Sequence, residues 1–476
     1  MIENLKPYPE IKDSGLPWLG EVPVHWQVLR IKAVLQETDR RSQEGTETLL
    51  SLTRIRGLIP HRDMTEKMHA AKTLVGYKRY RAGQLVMNRM QAWSGMFGAG
   101  RADGLVSPDY AVFDVLGRHS VQFVLERIKS PDLVGQFALE SKGIGSGFNR
   151  LYTDRFGQIA ISLPPPSEQA AIARFLSWAT NRLDRAIGAK RRIIALLQEQ
   201  KQAIIHRAVT RGLDPSVPLK DSGIPWLGGI PEHWEVRKLK KISPRVGVGL
   251  VINPSSYYVD HQVSGAVPML LGNNIAPMGF KLDRLRYISH AANEELPASR
   301  LFAGDIVVVR VGAPGVAAVV PPHLDGCNCA SVMIIRGHSS YSGDWLALSF
   351  NSSVASRQID IVKYGAAQKQ FNIGHAVDFL FPVPPLKEQQ LIVDYVATET
   401  LPISKAISRV ESEITLLREY RTRLIADVVT GKLDVREVAA GLPEEIEPSI
   451  LSDGAGYDGD DAGDDPDSDP IDTEED

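Results

Sequence analysis

Two histidines, each followed by a tryptophan, are the first residues whose types and spacing could do chemistry: His25-Trp26 and His233-Trp234. An imidazole beside an indole could carry protons or offer a stacking platform to a ligand. Each pair belongs to a longer repeat. Residues 13–32 and 221–240 are identical at twelve of twenty positions, Trp18 and Trp226 among them. Prolines, glycines and tryptophans at fixed spacing suit a turn-rich cap holding a domain against helices, and this structural reading outweighs the catalytic one.

Other chemical signatures are absent. The two cysteines, Cys327 and Cys329, are too few for a disulfide framework or a complete zinc site and read as small buried residues near a strand. No Gly-x-x-x-x-Gly-Lys-Ser/Thr phosphate loop occurs. The Asn/Asp-Pro-Pro-Tyr/Phe motif of adenine methyltransferases is missing as well; Asn253-Pro-Ser is the nearest fragment. Phe97-Gly-Ala-Gly100 could pass for part of an S-adenosylmethionine loop, but no βαβ context surrounds it and the corresponding place holds Gly312-Ala-Pro-Gly315. Nucleophile elbows and His-Glu-x-x-His pairs are also lacking. A tandem enzyme would repeat its catalytic residues. Here the repeated parts look structural and the unrepeated parts vary, so the chain is expected to be non-catalytic.

The elements that position these segments are two long helical patterns. Pro-Pro-Pro-Ser-Glu-Gln at 164–169 opens the first and Thr-Arg-Gly-Leu-Asp at 210–214 closes it. Pro-Pro-Leu-Lys-Glu-Gln at 384–389 and Thr-Gly-Lys-Leu-Asp at 430–434 bound the second, offset by 220 residues at both ends. Spacings of three and four define a seam through Ile187, Lys190, Ile194, Leu197, Lys201, Ile204 and Ala208. Its counterpart runs through Ile407, Val410, Ile414, Leu417, Arg421, Leu424 and Val428. Matched heptad seams of equal length favour the two helices packing on each other. Pro402 predicts a break: a short helix, a cap at Thr180 or Thr400, then a long helix with Arg182 or Pro402 in its first turn. From 182 to 210 such a helix spans about 44 Å.

Composition sets the remaining bounds. The chain has 476 residues, 43% hydrophobic and 23% charged, with no apolar run long enough for a membrane span and no signal peptide at Met1. A cytoplasmic location is expected. The net charge of −3 conceals an asymmetry, because residues 441–476 hold fifteen acidic and no basic residues, leaving 42 acidic against 54 basic elsewhere. A basic body suits a polyanionic partner, and the acidic tail reads as disordered. The expected domains are 1–163, with the first signature; 164–214, a helical spacer; 215–383, with the repeated signature; 384–436, a second spacer; and the tail 437–476.

The variable regions, 33–163 and 241–383, share faint landmarks. Ala82-Gly-Gln-Leu-Val-Met-Asn-Arg89 matches Ala303-Gly-Asp-Ile-Val-Val-Val-Arg310, a turn followed by a β-rich run. A glycine-containing loop with a shared Phe-Asn follows in each, at 143–149 and 365–372. Helical stretches fall near 120–127 and 345–362, so both regions read as mixed α/β. The overall fold class is α+β: two mixed α/β domains separated by two long antiparallel coiled-coil helices, a pseudo-twofold tandem duplication.

The paired Pro-Trp-Leu-Gly-x-x-Pro-x-His-Trp segments, the two Pro-Pro…Glu-Gln openings and the Leu-Asp endings at 213–214 and 433–434 together resemble the specificity subunits of type I restriction–modification systems. The resemblance covers about 13–434; the acidic tail lies outside it. It implies two target recognition domains at opposite ends of an antiparallel helix pair, binding double-stranded DNA. It implies as partners two methyltransferase subunits and, in the full complex, restriction subunits. S-adenosylmethionine, ATP and Mg2+ would then belong to those partners, with no cofactor or metal in this chain. A bipartite asymmetric target is expected, with half-sites about 34 Å apart within reach of the helices. Alternatively, the chain is a coiled-coil scaffold whose end domains bind proteins.

Candidate DNA-binding residues are polar or basic side chains on expected loops. In the first region they are Arg54, Arg56, Lys78, Arg79, Asn149 and Arg150. In the second they are Tyr257, Tyr258, Asn273, Asn274, Lys363, Gln368, Lys369, Gln370 and Asn372. Exposed apolar residues on the helices, such as Phe175, Trp178, Leu196, Tyr395 and Leu416, are candidates for partner docking, with a core role equally open.

Overall fold

The computed structural model describes residues 5–54, 56–64, 73–143, 149–363 and 370–443. The chain forms two compact units, one of residues 1–190 with 412–476 and one of residues 191–411. The division falls inside both long helices. The first unit is therefore discontinuous in sequence, closed by the end of the second long helix and the residues that follow it.

In the first unit the signature strand Gln27–Arg30 pairs antiparallel with Ala160–Leu163, in the register Gln27 to Leu163 and Arg30 to Ala160. That pairing sets the start of the first long helix beside the signature. The variable region is built on a four-stranded antiparallel sheet in the order Leu35–Thr38, Tyr110–Val115, Leu85–Asn88, Phe97–Gly98. Side chains alternate across a strand, and the sheet is covered on both faces. Leu85 and Met87 enter the core shared with Trp26, Phe123, Phe156 and Phe175, whereas Val86 joins Leu50, Leu52, Leu58 and Tyr80 on the other side.

The second unit repeats this frame with different residues. Glu235–Lys238 pairs with Leu380–Val383. A four-stranded antiparallel sheet runs Val246–Val248, Val332–Ile335, Ile306–Val309, Ala317–Val319. Ile306 and Val308 point into the core around Trp234, Trp345 and Phe381, and Val307 and Val309 into a second core containing Cys327 and Cys329. Both cysteines are buried and free, and burial pushes the Cys327 thiol up to about 12. The strands aligned from sequence, 85–88 and 306–309, thus hold the same place in matching sheets. The second unit adds a further four-stranded sheet, Tyr258–Val259, Arg286–Ile288, Val267–Leu270, Asn328–Cys329, whose last pairing is parallel.

The long helices are Pro166–Arg211 and Leu386–Val429. Pro166 at the first position of the first helix, and Glu168 and Glu388 in the first turns, suit a helix N-terminus. Gly212 and Gly431, at φ +72° and +80°, end them in the left-handed conformation. Their pairing is antiparallel. In the first unit Asp184 meets Arg421 at 3.0 Å and Lys190 meets Glu413 at 2.5 Å, and in the second Lys201 donates to Ser404 at 2.9 Å. Ile187, Ile414, Leu424 and Val428 are buried, and Ile194, Leu197, Ile204, Ile407, Val410 and Leu417 are half-buried, while flanking positions such as Arg192, Glu199, Glu411 and Arg418 are exposed. The matched basic residues Lys201 and Arg421 each bond to the other helix.

The break expected near Thr180 and Thr400 is absent. Each helix is continuous, and Pro402 lies inside the second. Its side chain is exposed while its neighbour Ile403 is buried, so packing holds the helix through the position where one backbone bond is missing. Thr180 and Thr400 sit within the helices, and the Thr180 hydroxyl donates to the Leu176 carbonyl at 2.7 Å. Pro402→Ala restores the N–H, and is expected to stabilise the chain by about 1–3 kcal/mol, less the entropy that proline removes from the unfolded state. A higher urea midpoint with unchanged slope would show it; an unchanged midpoint would mean that the helix has adapted fully to proline.

Candidate nucleic-acid interface

Each variable region is held by a polar clamp made from the duplicated segments. In the first unit Glu168 accepts from the Tyr8 hydroxyl at 2.6 Å and from Trp26 Nε1 at 3.0 Å, and its Oε2 lies 2.7 Å from His25 Nε2. Burial, reinforced by Glu168, pushes the Tyr8 phenol above its usual range. In the second unit Glu388 accepts from Trp234 Nε1 at 3.1 Å, with His233 Nε2 at 2.8 Å. The adjacent glutamines do the same job in both. Gln169 accepts from the Ser120 N–H at 2.9 Å and donates to the Pro164 carbonyl at 2.8 Å; Gln389 accepts from Ser342 at 2.8 Å and donates to Pro384 at 2.9 Å. Ser120 and Ser342 in turn cap the helices Val121–Ile128 and Gly343–Phe350. The His-Trp pairs are therefore engaged by the helix openings, not arranged around a substrate.

The chain closes on itself within the first unit. Asp434 N–H donates to the Lys6 carbonyl at 2.8 Å, and the Arg436 guanidinium lies 5.1 Å from the centre of the Tyr8 ring. Gly431 abuts Pro23 and Trp26 just as Gly212 abuts Pro231 and Trp234 in the second unit.

The candidate readers separate into consumed and available groups. Lys78 is 2% exposed, with Glu37 and Asp39 each at 3.7 Å, and burial followed by the Arg89 charge holds its amine below the usual lysine range. It is a buried partner of carboxylates. Asn274, also buried, accepts from Leu271 N–H at 3.0 Å and donates to the Lys281 and Arg284 carbonyls, shaping the turn Ile275–Phe280 grows from. Asn372 caps the helix Ile373–Ala376 through Gly374 N–H. Arg79 pairs with Glu47 at 2.9 Å, and Lys363 with Asp360 at 2.5 Å. Tyr257 and Tyr258 are half-buried against a small core, with Arg286 5.7 Å from the Tyr258 ring centre. Arg56 is half-buried, as is Gln370, which bridges to Val311. Asn273, Asn149 and Arg54 are exposed. Gln368 and Lys369 lie outside the described residues, as do most of the loops 143–149 and 365–372.

Those loops end differently from the alignment read in the sequence. Leu151 N–H donates to the Arg89 carbonyl at 3.0 Å, and Phe371 N–H to the Arg310 carbonyl at 3.3 Å. Leu151 therefore takes the place of Phe371, and Asn149 and Asn372 are not equivalent; Phe148 lies outside the described residues. Both anchors are fully buried, so apolar burial rather than residue identity was retained.

Two aromatics beside the first of these anchors were missed by sequence reasoning. Trp93, on the turn Ala92–Ser94, and Tyr152, next to Leu151, are each 41% exposed. A tryptophan near a glycine-rich run reads as core, and no local pattern marks one as exposed. Of the helix residues considered for docking, Phe175 is fully buried in the first core and Trp178 is half-buried, with Arg182 5.5 Å from its ring centre. Leu196, Tyr395 and Leu416 are exposed. Among the described residues, no helix is long and apolar enough to cross a membrane, and no group of three or more His, Cys, Asp or Glu could hold a metal ion.

No protein-family model matches the chain. The type I restriction enzyme MjaVIII specificity subunit of Methanocaldococcus jannaschii is 36% identical over 104 residues, covering 22% of this chain and 23% of that subunit. That match spans under a quarter of the relative's length. The type I restriction enzyme EcoKI specificity subunit of Escherichia coli is 22% identical over 376 residues, 74% of this chain and 75% of that subunit. A solved chain from work on complex assembly and conformational transition of the type I R-M system shares the fold, with a TM-score of 0.56 at 16% identity, covering 86% of this chain and 98% of the other. The chain is thus similar in sequence to specificity subunits of type I restriction enzymes, and similar in fold to a chain of a type I R-M system.

Proposed function

We propose that this chain is the non-catalytic, sequence-specific DNA-recognition subunit of a type I restriction–modification complex, reading a bipartite, asymmetric site in double-stranded DNA. The observation that carries this reading is one frame used twice with two different surfaces. Clamp, sheet order and helix register are repeated, while the residues displayed on the variable regions are not. Each region then reads its own half-site, by side chains on base edges, while lysines and arginines neutralise phosphates. Two methyltransferase subunits, docked along exposed helix positions such as Leu196, Tyr395 and Leu416, would supply adenine-N6 methylation with S-adenosylmethionine. Restriction subunits would supply ATP- and Mg2+-dependent cleavage. The site of action would be the cytoplasm.

The test combines the purified full chain with its cognate methyltransferase subunit. Transfer of labelled methyl groups into DNA should require both proteins. Binding should fall by roughly 10³-fold or more between 50 and 200 mM salt, as for a protein neutralising several phosphates. Methyl transfer by the partner alone, or DNA binding indifferent to salt, would favour the scaffold reading instead.

A further inference from the structure

Around one turn of the first variable region the fold leaves aromatic and polar side chains exposed. The turn Ala92–Ser94 is anchored by Ala92, fully buried against the helix Pro131–Glu140, and ends at Gly95 in the left-handed conformation. Trp93 at its tip donates its indole N–H to the Met90 carbonyl at 2.9 Å, so its one polar atom is satisfied while the ring stays 41% exposed. Arg54 reaches the same turn, donating to the Ser94 carbonyl at 2.9 Å and to the Ser94 hydroxyl at 3.2 Å. These partners are neutral oxygens, and they fix the guanidinium without cancelling its charge. Lys129, at the C-terminal end of the helix Val121–Ile128, donates to the Arg54 carbonyl at 3.0 Å.

The strand Asn149–Arg150 lies against this turn. It brings the exposed Asn149, and beyond it Tyr152, whose ring has the Arg150 guanidinium 5.6 Å from its centre. Arg150 is oriented by Asp109 at 2.5 Å. Two partly bare aromatic rings, a carboxamide and guanidinium groups held in place thus gather around one turn. Tryptophan, tyrosine and arginine are the residues that dominate recognition energetics, because they give large rigid contact area at small entropic cost.

We propose that Trp93 is a specificity-determining residue that contacts base edges in the half-site read by the first variable region, flanked by Arg54 and Asn149. This rests on the DNA-recognition reading above. An apolar ring meeting the DNA major groove finds its complement in the thymine methyl group, while a carboxamide matches adenine and a guanidinium matches guanine. The exposed turn is anchored on a packed core, which suits a side chain that must hold its position.

The experiment maps N6-methyladenine in DNA from cells expressing the full chain, or its Trp93→Ala or Trp93→Phe variant, with the cognate methyltransferase subunit. Trp93→Ala should relax one or two base positions within a single half of the motif, with preference there falling about tenfold, while the other half is unchanged. Trp93→Phe should retain the motif. An unaltered motif and methylation level for Trp93→Ala overturns the assignment. So does a uniform loss across all sites with the motif intact, which would mark a role in partner docking or stability. Should the unsubstituted chain direct no bipartite motif, the recognition reading itself fails, and the assignment of Trp93 with it.

Discussion

Glu168→Ala is expected to destabilise the first unit by about 3 kcal/mol or more, among the largest effects of any single substitution outside the apolar core. The carboxylate is 6% exposed and is met by Tyr8, Trp26 and His25. Removing it leaves the Tyr8 hydroxyl and the Trp26 indole N–H without their acceptor in a site that water reaches poorly, and an orphaned buried donor costs about 1–3 kcal/mol. Glu388→Ala is the internal control. That carboxylate is 25% exposed and has two partners instead of three, so its loss should cost about half as much. Urea unfolding of the two variants checks the ordering. Equal costs would mean that Tyr8 adds nothing to the first clamp.

The second large effect is Gly431→Ala, expected to cost about 3 kcal/mol. Two terms add here. Gly431 has φ +80°, where a Cβ costs about 1 kcal/mol or more. A Cβ would also stand 2.5 Å from Pro23 Cδ and 3.3 Å from Trp26, both rigid rings. Gly212→Ala, at φ +72°, carries the same backbone strain, but its nearest neighbours, Glu388 Oε1 at 3.1 Å and Trp234 at 3.3 Å, leave more room than the 2.5 Å approach to Pro23. The first substitution should therefore exceed the second by about 1–2 kcal/mol. It should also loosen the contact by which Asp434 returns to Lys6, read as faster amide exchange at 431–436. Equal costs without faster exchange would contradict this account of the closure.

How much of this was legible in the sequence depended on whether a residue's partner was also repeated. His-Trp and Glu-Gln recur at fixed offsets, so a structural role for both could be read, though not that one clasps the other. The strands 85–88 and 306–309 were aligned because a glycine turn and an apolar run survive together at both places. The extent of the helices was misread at Pro402, because local propensity weighs the missing hydrogen bond and cannot weigh the packing of Ile403, Ile414 and Leu424 that overrides it. The readers were the least legible. Lys78 and Asn274 have the polarity of contact residues, but each is buried and bonded within its own fold, and polarity alone does not say whether a partner is already present. Trp93 escaped for the converse reason, since an apolar residue is assigned to the core unless the fold is known.

The most direct test of the central claim is the N6-methyladenine motif directed by the unsubstituted chain with its cognate methyltransferase subunit, repeated after exchanging residues 33–163 for the corresponding region of a relative. The account predicts an asymmetric, bipartite motif with an unread spacer, in which the exchange changes one half and leaves the other intact. A single continuous motif, an exchange that alters both halves, or the same methylation without this chain would contradict it.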